Sequence, residues 1–342
     1  MAGGACGDPG PGRAFRPTDP TLLSTGSPTK DEDPSVVRAA DGRLLVAWFS
    51  DRGGNPDIYL TSTADGAEWT APVRVTTDPG GDFNPHLIQD ELGVFHLTWF
   101  RWTAPYVGHI WYNRSADGRT WDPGAEVQVT TTNAVDDWVP TMARAADGTL
   151  LIYFVSEVRD PANPTSEIYV SARRPGVANW DPATALTDIN SATEHDHLPF
   201  AARIGNQIRL VWVRYDTTEP LPWNNPESDL FTATSADGLV WSAPTRVTDE
   251  PGTVFNLFPM LYPDADGVWS YLWLSGRSGA PRVFERDVAE GAPYPQGVRQ
   301  RDELPAGYSH RVVATPAPGV YLAVWVQGPE GEQDIYYRFF ER

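Results

Sequence analysis

Six residues stand at one point of a recurring segment. Asp31, Asp82, Asp137, Asp196, Asn256 and Tyr308 each lie three places before Pro34, Pro85, Pro140, Pro199, Pro259 or, in the last copy, Arg311. Residues that keep one register in a repeat keep one place in its structure. If the repeats surround an axis, four carboxylates, an amide and a phenol face one mouth, joined by Glu32, Asp33, Asp136, Glu194 and His195. Crowded carboxylates raise one another's proton affinity or hold a hard cation. Calcium, with oxygen ligands and a tolerant geometry, would suit Asp31, Asp82 and Asp137. A second arrangement is the more ordinary one. The loops after the next strands bring Arg52, Arg101, Arg159, Arg214 and Arg277, and one arginine on each carboxylate would staple the units together. His195 and His197, two apart on a strand, share one face, but no third histidine or cysteine completes a zinc set. Neither arrangement requires a cofactor.

The segments that position these residues are short and alternating. In the first unit "DGRLLVAWFS", "DIYLTS" and "WTAPVRVTT" follow one another, and each later unit has counterparts: "VFHLTWF", "LLIYFVS", "IRLVWVR", "WSYLWLS" and "VYLAVWV" for the second segment alone. β-Branched and aromatic runs bounded by Gly, Pro, Asp and Asn predict strands. Four strands per unit, with six units of 50 to 60 residues, predict an all-β, six-bladed β-propeller. The last unit ends after its third strand, and "PTLLSTGSPT" near the N-terminus reads as its missing fourth, which closes the ring and leaves no open edge. The blades are predicted at about 31–78, 82–132, 137–188, 196–249, 256–303 and 308–342 plus 20–29, within one domain over 16–342. Residues 1–15 are expected to form a disordered tail.

One turn is written repeatedly: "STADGAEW", "SADGRTW", "SADGLVW" and a worn "SARRPGVANW". It falls between the third and fourth strands. Asp accepts hydrogen bonds from the turn's own backbone and Gly supplies the left-handed conformation, so Asp65, Asp117 and Asp237 read as structural.

The chain has 342 residues, 14 tryptophans and a formal net charge of −19. So acidic a surface repels phosphate backbones, which argues against nucleic acid as a partner. No run approaches the ~18 apolar residues of a membrane span. Cys6 is the only cysteine; it reads as a thiol on the tail or as a remnant lipidation site. The expected setting is secreted or cell-surface, the expected state a monomer. Asn113-Arg-Ser is a glycosylation sequon.

The Ser-x-Asp-Gly-x-x-Trp turn resembles the Asp-box, or BNR repeat, of the sialidase superfamily, and "DPSVVRAADGRLLVAWFSDRGGNPDIYLTSTADGAEWTAPVRV" resembles a first blade of that family. The resemblance covers residues 20–342 and implies a six-bladed propeller with a glycan site at the top of its channel. It implies a tyrosine nucleophile, a glutamate that activates it, an aspartate acid/base and three arginines that clamp a carboxylate. "AGYSHRVV" makes Tyr308 the nucleophile; Arg214 and Arg282 match the second and third clamps; Asp57 is the nearest aspartate for the acid/base, with Asp196 as another acidic partner. Glu32 stands where the first clamp arginine is expected, and Leu198 where the glutamate is expected. These departures imply a divergent member: a hydrolase or lyase acting on another glycan, or a propeller that only binds a glycan or a protein. Phe83, Trp102, Tyr106, Trp138, Tyr215 and Trp223 lie in loops of the same face, where aromatic rings stack on sugars. With His195 and Asn256 they complete the expected binding set, and the long loop 214–229 is its expected binding loop.

Overall fold

The computed structural model describes residues 15–24, 29–103, 107–131, 135–157, 165–187, 193–216, 227–249, 254–264, 266–288, 295–305 and 307–342. Cys6, Tyr106, Arg159 and Trp223 lie outside them. Within these residues stand six four-stranded sheets, each antiparallel and in chain order from the first strand outward. The first strands are Asp31–Arg38, Gly81–Gln89, Asp137–Arg144, Glu194–Ile204, Asn256–Pro263 and Tyr308–Ala314. The sixth sheet takes its fourth strand, Thr21–Leu22, from the N-terminal end, paired with Asp334–Glu341. Ser24 Oγ continues that closure, donating to Asp334 at 3.0 Å and accepting from the Ile335 amide at 3.0 Å. The predicted six-bladed propeller and its closing strand are therefore present. Phe15 is buried and packs on Phe339 at 5.5 Å between ring centroids.

Side chains of second and third strands alternate between the two faces of each sheet, so each sheet is apolar on both. Six apolar clusters result, one at each junction. Trp48 of blade 1 packs with Val324 and Phe339 of blade 6, and Trp273 of blade 5 with Val213 of blade 4. Gly118, at φ 68°, shows why the repeated turn needs glycine: a Cβ there would lie 2.7 Å from Leu45 Cδ2 of the neighbouring blade. The turn itself is held by Asp117 Oδ1, which accepts from the amides of Arg119 and Thr120, both at 2.7 Å. These amide bonds hold the Asp117 carboxyl well below the usual carboxylate range.

Every first strand carries a bulge at the same place. Pairing with the second strand slips between Glu32 and Ser35, Phe83 and His86, Trp138 and Thr141, His197 and Phe200, Leu257 and Met260, and Tyr308 and Arg311. Within each slip one residue is left-handed: Asp33, Asn84, Val139, Leu198, Phe258 and Ser309, at φ 46° to 54°. In five blades proline follows it. In the sixth, His310 does, and Arg311 is one place further on. The register counted from Arg311 is thus one residue out in blade 6. Tyr308 is the structural equivalent of Glu32, Phe83, Trp138, His197 and Leu257. The equivalent of Asp31, Asp82, Asp137, Asp196 and Asn256 is Gly307.

Candidate functional site

The repeated acidic position is built into the blades. Asp31, Asp82 and Asp196 are buried, and each accepts the indole N–H of the tryptophan in its own second strand: Trp48 at 3.1 Å, Trp99 at 2.8 Å and Trp212 at 2.7 Å. The arginine at the end of that strand completes each pair. Arg52 reaches both oxygens of Asp31 at 3.0 Å, Arg101 reaches Asp82 at 2.6 and 3.0 Å, and Arg214 reaches Asp196 at 2.8 and 2.6 Å. Burial works against the Arg101 charge, and the Asp82 and Glu126 carboxylates outweigh it, so the guanidinium sits above its ordinary value. In blade 3 Phe154 replaces the tryptophan, and Ser156 Oγ donates to Asp137 at 2.6 Å. In blade 5 Asn256 bonds Trp273 at 3.0 Å and the Ser228 carbonyl at 2.7 Å.

Asp31, Asp82 and Asp137 each turn their oxygens to donors of their own blade. A hard cation beside Arg52 and Arg101 would meet like charge, so this set does not fit calcium. Among the described residues no three His, Cys, Asp or Glu side chains are placed to hold a metal ion. Asp57 is buried at the start of a third strand and accepts from Arg74 at 2.5 Å and Thr76 at 3.4 Å. Burial raises its carboxyl, against the pull of Arg74.

Blade 6 departs from the pattern. With glycine at 307, Trp325 has no carboxylate to meet and donates to Gln327 Oε1 at 3.1 Å. The chain then turns Tyr308 towards blade 1. Its Oη donates to Glu32 Oε1 at 2.5 Å, and Lys30 Nζ holds the other oxygen of Glu32 at 3.1 Å. Tyr308 is half-buried; burial and Glu32 push its phenol above the ordinary range, so it is neutral beside the carboxylate. Asp33, in the left-handed position next to Glu32, is raised to about 7 by burial and by Glu32, against Arg311 and Lys30. Arg311 lies over the Phe200 ring at 5.6 Å, and burial lowers its guanidinium to about 10, against the pull of Asp33.

The same end of the strands in blades 3 and 4 carries a second polar group. The Glu157 amide donates to the Asp136 carbonyl at 2.9 Å, and burial, helped by Asp136, raises the Glu157 carboxyl to about 7. His195 is stacked on Tyr215 at 5.0 Å and 6°, its Nδ1 accepting from the Ser166 amide at 3.1 Å. Trp138 meets the edge of His197 at 4.6 Å; burial and then His195 lower that imidazole to about 3. Trp102 is 45% exposed and packs on Phe83 at 5.1 Å.

The structure therefore joins Tyr308 to Glu32, Arg214 to Asp196, and Trp138, His195, His197 and Tyr215 to one another. Arg282, at the start of the third strand of blade 5, donates to the Pro281 carbonyl at 2.9 Å. Sequence reasoning placed Glu32 and Asp33 at the rim but did not pair Glu32 with Tyr308, and it gave no role to Glu157 or Arg311. The one available signal was the "DED" run over 31–33, which puts three acids at a single strand head.

No protein-family model and no curated protein matches the chain. Solved structures do. An α-L-arabinanase of Penicillium chrysogenum complexed with arabinobiose is 14% identical with a TM-score of 0.76, over 95% of this chain and 98% of that one. The α-L-arabinofuranosidase Arb93A of Fusarium graminearum, in complex with an iminosugar inhibitor, is 14% identical with a TM-score of 0.75, over 96% and 98%. A protein from Dyadobacter fermentans is 13% identical with a TM-score of 0.72, over 96% and 99%. At this identity the likeness establishes the fold: a six-bladed propeller matched along nearly its full length.

Proposed function

We propose that the protein is a glycoside hydrolase that works at the Tyr308 end of the channel. The observation that carries this reading is the 2.5 Å bond from Tyr308 to Glu32, a nucleophile and a base in contact at a strand head in a propeller. Glu32 takes the phenolic proton as Tyr308 attacks the anomeric carbon and the bond to the leaving oxygen breaks. Water then attacks that carbon, the phenolate leaves and recovers its proton from Glu32, and the carboxylate that protonated the leaving oxygen takes the proton of the water. The leaving oxygen needs a protonated carboxyl. Asp33 and Glu157, each raised to about 7, are protonated to a useful extent near neutrality; Asp196 and Asp57, expected for that role from the sequence, are buried against Arg214 and Arg74 and serve the scaffold instead.

A neutral sugar is the better substrate. Arg214 is spent on Asp196 and Arg282 reaches a backbone carbonyl, which leaves little to clamp the carboxylate of a sialoside. The structural neighbours with arabinobiose or an iminosugar bound support an arabinan-like glycan. Trp102 and Trp138 are the proposed binding groups of the rim, whereas His195 and Asn256, expected among them, are buried and bonded within the blades; the sialidase-like, secreted character of the protein belongs to the same reading.

The test is turnover of a panel of fluorogenic glycosides, with arabinofuranosides and a sialoside included, by wild type, Tyr308→Phe and Glu32→Gln. Loss of about a hundredfold or more in both variants, roughly the effect of removing a general base, is the expected result. A second reading, a propeller that binds glycan without cleaving it, is favoured by the pairing of Asp31, Asp82 and Asp196 with arginines. No turnover on any substrate, together with retention on a glycan array, would select it.

A further inference from the structure

The other end of the channel holds a cavity of 310 Å³. Its floor is the ring that follows the bulges, where His86, Phe200 and Met260 meet. That ring is tied from blade to blade: the Met142 amide donates to His86 Nδ1 at 3.1 Å, and the Ala201 amide to Thr141 Oγ1 at 3.1 Å. The walls are aliphatic, from Val36, Leu87, Ala201, Leu261 and Val312.

The rim is charged differently from the rest of the molecule. Arg38, Arg144 and Arg203 line it, on a chain whose net charge is −19. Arg144 and Arg203 come from different blades and are both held by one carboxylate, Glu91. Glu91 stands on the turn closed by the Gly93 amide on the Asp90 carbonyl at 3.0 Å, and it is 55% exposed. Asp90, the other acid of the rim, is occupied by the amides of Leu92 and Val94 and by His96. Burial, then the Arg311 charge, lowers His86 to about 3, so that imidazole is neutral near neutrality; the one charge at the floor among the described residues is the Arg311 guanidinium, over the Phe200 ring at 5.6 Å.

An aliphatic cup under a pair of arginines matches one ligand chemistry. We propose that this cavity is a second binding site, for a small organic carboxylate whose aliphatic part fills the cup and whose carboxylate displaces Glu91 from Arg144 and Arg203. The size suits it, since ligand pockets start at about 300 Å³. Two guanidinium forks aimed at one carboxylate supply directional bonds. Glu91 then acts as a resident competitor, exposed enough to swing away.

Isothermal titration of the full chain with sodium octanoate tests this. Saturable one-to-one binding is expected, weakened about tenfold or more in Arg144→Ala/Arg203→Ala, since two charge-assisted bonds are lost. Glu91→Gln should bind more tightly than wild type, which a purely structural clasp would not do. Tyr308→Phe should bind as wild type does, so the result stands apart from the fate of the catalytic reading. The idea fails if octanoate gives no saturable heat, if 1-octanol binds equally well, or if Glu91→Gln leaves the affinity unchanged. Thermal melts of each variant confirm that folded proteins are compared.

Discussion

The head of blade 2 and the head of blade 6 occupy equivalent places and do different things. In blade 2 Asp82 is satisfied by Trp99 and Arg101 and fully buried. In blade 6 glycine holds that place, Gln327 takes the tryptophan, and Tyr308 is turned across the junction onto Glu32. Where the repeat is obeyed, polar groups are consumed by the scaffold. Where it lapses, a phenol is left to meet a carboxylate of the next blade, with Asp33 beside it in sequence. In this propeller the candidate chemistry sits where the repeat is broken.

That contrast can be broken by exchanging the two behaviours. Asp82→Ala leaves the Trp99 indole and part of the buried Arg101 unpaired, and is expected to destabilise the fold by about 3 kcal/mol, read as a fall in the denaturant midpoint. If Asp82 were a working group with little structural role, activity would drop and the midpoint would stay. Gly307→Ala attacks the lapse itself. Its Cβ would fall 2.5 Å from Trp325 Cδ1 and 2.7 Å from the Val326 carbonyl, so a loss of about 1–3 kcal/mol is expected from overpacking, with Tyr308 displaced and turnover reduced. Thermal melts and activity assayed on one preparation would show both.

The turn residue Asp117 gives a smaller effect. Asp117→Ala removes acceptors for two exposed amides and should lower stability by about 1 kcal/mol with turnover unchanged; a lost activity would contradict the structural role of the repeated turn. The finest test uses pH. Asp33 binds its proton more tightly in the fold, at about 7 against an ordinary 3.8, so the folded state holds more protons between those values. Its stabilising contribution is complete below the lower value and is lost as pH rises through the upper one. Asp33→Asn should therefore flatten that part of the stability curve in urea titrations across the range. An unchanged slope would place the effect elsewhere.

The propeller was legible because its signals are local and repeated. Alternation, proline at the bulge, and Asp-Gly turns recur at 50 to 60 residues, and the closing strand was legible because "LLST" matches the other fourth strands. The acidic register was legible too, and so was the arginine pairing as one of two readings. The sequence could not decide between that pairing and an open ring, because the choice depends on which indole and guanidinium stand opposite each carboxylate. Blade 6 was misaligned by one residue, because the marker used for the bulge is proline and in this blade His310 takes its place. In a strand one residue is the difference between faces, so that single place separates a buried staple from a phenol at the channel mouth. Composition and repetition alone determined the architecture, since strands and turns are set by neighbours in sequence. The pairing of Tyr308 with Glu32, separated by 276 positions, was decided only when ring closure brought the last blade against the first.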